Sequence, residues 1–247
     1  MHDLPLRSLS ATSCLLLAPI LFVQGRRVRR ETPRLPPAGG PLDGIIPGAH
    51  PLRLLIAGES TAVGVGVRTH DEGLAGQTAR ALAAATGRGV NWRVLGRSGA
   101  SGRHLVAEFI EPAMPIEADV VIVALGVNDT ISLSSVARWV NALDALLQRA
   151  RQGSPNVAVV VSGVPPMQIF PVFPAPLRHV LGLRARVLDR AAARWARQQV
   201  VVMHLPHPRT APADVREMFC EDRFHPSALG YARWGEALAT AASDILR

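Results

Sequence analysis

Three residues of this 247-residue chain have the types and spacing for hydroxyl chemistry. Ser60 lies in LRLLIAGESTAVGVGV, Leu52 to Val67, directly after a strand-forming apolar run and before a series of small residues. Its neighbours leave three readings open: a turn residue, a phosphate-loop residue or a nucleophile. Asp222 and His225 stand three residues apart in DRFHP, just ahead of a helical pattern. At that spacing one carboxylate can fix the tautomer of one imidazole. Two further segments, GRSGAS (Gly96 to Ser101) and GVND (Gly126 to Asp129), also follow apolar runs. Ester hydrolysis needs an activated hydroxyl, a base, a group that orients the base, and donors for a tetrahedral oxyanion. The chain offers a candidate for each.

The elements that must position these groups are legible as alternating patterns. Short apolar runs at Leu52–Ala57, Val90–Leu95, Asp119–Leu125, Val157–Ser162 and Val200–His204 read as strands, most of them apolar throughout, as strands buried on both faces are. Helical patterns at Leu74–Thr86, Ser134–Gln152, Leu177–Gln199 and Ser227–Leu246 lie between and after them. The expected fold is α/β: a three-layer α/β/α, doubly wound, flavodoxin-like domain on a five-stranded parallel sheet. In such sheets ligands bind at the carboxyl ends of the strands. Ser60, the two Gly-led segments and the DRFHP loop all fall at those ends.

In order and spacing these segments resemble the SGNH/GDSL hydrolase family over about residues 52 to 246. The resemblance implies a serine esterase or lipase-like hydrolase. Ser60 would be its nucleophile, with Asp222 and His225 completing the triad. The oxyanion donors would be the Ser60 and Gly99 backbone N–H groups and the Asn128 side-chain amide. The sequence departs from the family pattern at Glu59, where Asp is commoner. The chain looks most like the bacterial esterases, arylesterases and thioesterase-like members. The implied substrate is a small-molecule ester or thioester of an apolar acyl group. Two alternatives share the fold: an O-acyltransferase, and a non-catalytic lipid- or glycan-binding module. Intact Ser60, Asp222 and His225 favour catalysis.

Other site classes fit poorly. There is no GxGxxG turn opening a helix, no GxxxxGK[ST], and no GxSxG elbow, since Ala62 replaces its last glycine. No cofactor is expected. Two cysteines, Cys14 and Cys220, imply neither a disulfide framework nor a zinc site. His207 also precedes a proline, but His204 stands three before it; both read as loop residues without a metal role. The formal charge of +8 comes entirely from arginine, with no lysine. Six of those arginines precede residue 45, and no zinc-finger, RNP-like or basic-helix pattern accompanies them, so nucleic acid is not an expected partner.

Apolar side chains that could receive an acyl arm sit in VPPMQIFPVFPAPL, Val164 to Leu177. There five prolines stiffen a loop carrying Met167, Ile169, Phe170 and Phe173. A loop that merely caps the core is the plain alternative. Residues 1–44 differ from the hydrolase domain at 45–247. An apolar run, Cys14 to Val23, is too short to span a bilayer, for which roughly 20 residues are needed. Arg26, Arg27, Arg29 and Arg30 follow, and Pro33 to Gly48 reads as a linker. The expectation is association with a membrane surface through residues 14–30, on the cytoplasmic face. Secretion, or export to the periplasm, after cleavage near Val23 and Gly25 is the alternative.

Overall fold

The computed structural model describes residues 11–110, 117–208 and 214–247; residues 1–10 of the N-terminal segment lie outside them. Six strands form one sheet: β1 (Asp43–Ile46), β2 (Leu52–Gly58), β3 (Val90–Gly96), β4 (Val120–Ala124), β5 (Ala158–Ser162) and β6 (Val202–Leu205). Their spatial order is β1-β3-β2-β4-β5-β6, parallel except for β1, which runs antiparallel to β3 from Asp43↔Arg93 to Ile46↔Val90. The five expected strands are all present and parallel, and the sheet gains β1 as an antiparallel edge.

Every residue of β4 and β5 is buried, which is why both read as unbroken apolar runs. Their side chains alternate between two cores. Val121, Val123, Val159 and Val161 face α3 (Gly102–Ile110), α5 (Val136–Gly153) and α6 (Leu177–Ala196). Val120, Ile122, Ala158 and Val160 face α2 (Leu74–Thr86) and α7 (Ala228–Ile245). The result is the three-layer arrangement, with the central strands β4 and β5 sandwiched between helices.

Local signals fix the helix ends. Ser135 and Ser227 cap α5 and α7 by accepting the Arg138 and Gly230 N–H groups. Gly87 ends α2 at φ 66°, the left-handed conformation that a residue without Cβ adopts freely. The Trp139 indole donates to the Leu188 carbonyl at 3.1 Å and ties α5 to α6.

The N-terminal segment is more structured than its composition suggests. Ala11–Glu31 is a helix, α1, running through Pro19 and the arginine cluster. The stretch expected to be a linker is bonded along the domain: Ala38 N–H donates to Val63 O at 3.0 Å, Gly39 N–H to Arg68 O at 2.9 Å, and Val94 N–H to Leu42 O at 2.7 Å. The boundary placed between residues 44 and 45 falls inside β1.

Candidate active site

The strand order reverses direction of winding at β2, whose neighbours are β3 and β4. Crevices in open α/β sheets form at that point, outside the carboxyl ends of the strands. β2 ends at Gly58, and the chain turns at once: Ala62 N–H returns to Glu59 O at 3.0 Å and Val65 N–H to Ser60 O at 3.0 Å. Ser60 is thereby held at the head of the turn, buried but for 7% of its surface.

His225 arrives from the loop before α7, 165 residues away in sequence, and its Nε2 lies 2.9 Å from Ser60 Oγ. Its Nδ1 lies 2.6 Å from Asp222 Oδ2. The other carboxylate oxygen of Asp222 accepts the Phe224 N–H at 2.8 Å, the His225 N–H at 2.9 Å and the Cys220 thiol at 3.1 Å. Burial of Asp222 would push its pKa up. The bonds from the His225 ring, the His225 N–H, Cys220 and Phe224 outweigh it and hold the carboxyl at about 2. Asp222 is therefore ionised and can only accept, so the proton between the pair sits on Nδ1. Nε2 is left as a lone pair facing the Ser60 hydroxyl. The same surroundings push the Cys220 thiol up to about 12, burial first and the hydrogen bond to Asp222 second, so it stays a protonated donor.

The two Gly-led loops follow β3 and β4, the strands on either side of β2. Gly99, after β3, has φ +81° and nothing within 4 Å of the place a Cβ would take, so open space adjoins it on that side. Gly126 ends β4 at φ +120°, where a Cβ would strike the Val164 side chain at 2.6 Å. From there the chain enters a five-residue helix, α4 (Val127–Ile131), with Asn128 in its first turn. Asn128 Nδ2 donates to Ala100 O at 3.0 Å. One amide hydrogen is thus spent on the Gly99 loop, and a second remains. Asp129 closes the same junction by accepting the Gly102 N–H at 2.7 Å.

Glu59, the departure from the family pattern, packs without difficulty. Its two carboxylate oxygens accept the Val127 and Asn128 N–H groups, each at 2.9 Å. Burial nonetheless pushes Glu59 up to about 8, against the opposing pull of the Asn128, Val127 and Gly126 N–H groups.

Beside Ser60 and His225 a cavity of about 110 Å³ opens toward β5 and β6. Its walls are largely apolar: Leu125, Pro165, Ile169, Phe170, Met218, Phe219, Phe224 and Trp234. Of the four residues expected to receive an acyl arm, Ile169 and Phe170 line it. Met167 and Phe173 do not: Met167 is fully buried in the core, and Phe173 packs behind the wall, 6.0 Å from the Phe170 ring and edge-on to Phe224 at 5.9 Å. The Phe224 ring meets the His225 imidazole edge-on at 4.8 Å. Phe219 and Phe224 escaped the sequence reading although they flank Asp222 and His225. Aromatic residues bracketing the proposed triad acid, one of them next to the base, were the available signal.

The two remaining histidines near this edge have separate fates. His204 lies on β6 with Nε2 2.8 Å from Asp189 Oδ1, and that oxygen also accepts the Val164 N–H at 3.0 Å. His207 lines the cavity, 5.8 Å from the Trp234 ring, and burial pushes its pKa down. Among the described residues, no group of three or more His, Cys, Asp and Glu side chains is placed to hold a metal ion.

Comparison with known proteins gives the family and the fold. The pattern of the GDSL-like lipase/acylhydrolase family matches residues 56–233. A GDSL-like esterase of Mycobacterium tuberculosis (strain ATCC 25618 / H37Rv) is 30% identical over 203 residues, which are 79% of this chain and 63% of that protein. The chain thus spans less than two thirds of that curated relative's length. Among solved structures, a lipase from a goat rumen metagenome has a TM-score of 0.60 at 18% identity, covering 77% of this chain and 97% of its own. A family 3 carbohydrate esterase of Clostridium thermocellum has a TM-score of 0.61 at 16% identity, covering 80% and 98%. TesA has a TM-score of 0.59 at 18% identity, covering 78% and 99%. Likeness at these identities is likeness of fold.

Proposed function

The chain belongs to the GDSL-like lipase/acylhydrolase family, and on that premise we propose that it hydrolyses carboxylic esters of apolar acyl groups through an acyl-enzyme on Ser60. The observation that carries the proposal is the unbroken line of hydrogen-bonding atoms from Ser60 Oγ through His225 to a buried, ionised Asp222.

The steps follow from the positions of the protons. Ser60 Oγ attacks the ester carbonyl as its proton passes to His225 Nε2. Asp222 keeps the ring oriented and stabilises the imidazolium. Negative charge gathers on the former carbonyl oxygen, where the N–H groups of Ser60 and Gly99 and the free hydrogen of Asn128 Nδ2 receive it. The tetrahedral intermediate collapses, and the leaving alcohol, or thiol in a thioester, takes the proton from Nε2. Water then repeats the sequence on the acyl-enzyme, with His225 as base, and releases the acid and free Ser60.

The cavity supports an acyl chain of limited enclosed length. An apolar cavity of about 150 Å³ accepts benzene, so 110 Å³ corresponds to about four carbons. Nitrophenyl esters of increasing chain length test this. We expect kcat/KM to climb from acetate to about butyrate by roughly fourfold per methylene, the value of burying each CH₂, and then to level off. A profile that is flat or falls from acetate onward would remove the cavity from the reading, and full activity in folded Ser60→Ala would remove the mechanism.

A further inference from the structure

One stripe of α1 is docked and the other is bare. Leu21 and Val28 pack against the core on the side of α6. Between them Gln24 donates from Nε2 to Ala175 O at 2.8 Å and accepts the Leu177 N–H at Oε1 at 3.1 Å. Ala175 and Leu177 end the same proline-stiffened segment that brings Ile169 and Phe170 to the cavity wall. The helix is therefore bracketed to the loop that shapes the acyl site.

The outward stripe carries Phe22 and Val23, each 64% exposed, with Ile20 at 48% beside them. Arg26, Arg29 and Arg30 follow on the next turns, all exposed. Phe22, Arg26 and Arg30 are four residues apart and share one line of the helix, and the Arg26 guanidinium lies 5.7 Å from the centre of the Phe22 ring. Glu31, at the end of the helix, is paired with Arg27 and Arg30. Apolar side chains followed by arginines on one exposed face match the boundary between acyl chains and anionic head groups. No helix among the described residues is long and apolar enough to cross a membrane. A second copy of the chain suits the face less well, because a two-fold pair would set its arginines against one another.

We propose that the outer face of α1 binds the surface of an anionic lipid bilayer, and that the Gln24 bracket carries this attachment to the acyl loop, so that the ester attacked is one borne by the membrane. The second half rests on the hydrolase reading above; the first does not.

The test uses the full chain with vesicles of phosphatidylcholine alone or mixed with phosphatidylglycerol. Sedimentation should recover the protein with the mixed vesicles and not with the neutral ones. Replacing Arg26, Arg29 and Arg30 together by Gln should weaken that binding on the order of a hundredfold, at about one head-group contact per arginine. Replacing Phe22 and Val23 by Ser should weaken it as well. Both variants should hydrolyse soluble nitrophenyl butyrate at the wild-type rate. Gln24→Ala should still bind the mixed vesicles but lose several-fold in rate on nitrophenyl laurate dissolved in them, with butyrate unaffected. Equal binding to both vesicle types, or to neither, overturns the surface. So does a concentration-dependent dimer that the Phe22 and Val23 changes abolish. An unchanged laurate rate in Gln24→Ala overturns the coupling. A chain that binds mixed vesicles yet cleaves neither ester overturns the hydrolase reading and leaves the surface standing.

Discussion

Asn128 and Glu59, 69 residues apart in the chain, are joined by a 2.9 Å hydrogen bond from the Asn128 backbone N–H to Glu59 Oε2. The side chain of Asn128 is tied in the opposite direction, to Ala100 O on the Gly99 loop. One residue therefore holds the ends of β2, β3 and β4 at a fixed separation. It also keeps one amide hydrogen that the bond to Ala100 O does not use.

In the proposed mechanism the role of Asn128 grows as the carbonyl becomes tetrahedral. Asn128→Ala should lower kcat on the order of a hundredfold, about 3 kcal/mol, with KM little changed. Asn128→Asp should be worse, since a carboxylate repels the developing charge. Steady-state kinetics on the folded variants check this; a raised KM at unaltered kcat would make Asn128 a ground-state binding residue.

Glu59 links the same junction to pH. Its folded pKa, pushed up to about 8 by burial, lies above the unfolded carboxyl value of about 4.5. The folded state binds more protons between those values, so this contribution is complete below about pH 4.5 and is lost as pH rises through about 8. Urea unfolding from pH 5 to 8 should show stability falling in the wild type. The slope should be flatter in Glu59→Gln, which is also destabilised by about 1–3 kcal/mol for the lost acceptor. Parallel slopes would mean that Glu59 is ionised in the folded protein.

Asp222 has the opposite sign. Its carboxyl is held at about 2, below the unfolded value, so its contribution is present above about pH 4 and is lost as pH falls through 2. Wild-type stability should drop more steeply between pH 4 and 2 than that of Asp222→Asn. The same variant should lose roughly four orders of magnitude in kcat, because the amide favours the wrong imidazole tautomer.

Much of this was legible in the sequence where a strong pattern met a strong constraint. β4 and β5 are continuous apolar runs because helices cover both faces, β2 is nearly so, and α2 ends at Gly87 as its pattern indicated. β1 was illegible: four residues of edge strand in a Pro/Gly-rich stretch, with Ile45 71% exposed, leave no hydrophobic imprint. α1 was obscured by Pro19 and by the switch from apolar to arginine residues partway along. α4 was hidden inside GVND, because a five-residue helix and a turn look alike in sequence. The DRFHP spacing does bring Asp222 and His225 together. The partners of Asp129, Glu59 and Phe224 depend on tertiary contacts that spacing does not encode.

The proposed mechanism requires that Ser60 be the hydroxyl His225 activates. A fluorophosphonate ester, which forms a stable bond only with an activated nucleophile, tests it most directly when the labelled protein is digested and sequenced by mass spectrometry. We expect stoichiometric labelling of the peptide containing Ser60, loss of ester hydrolysis in step with labelling, and no labelling in folded His225→Ala. Label on another residue, or full hydrolysis after complete modification of Ser60, would contradict the account.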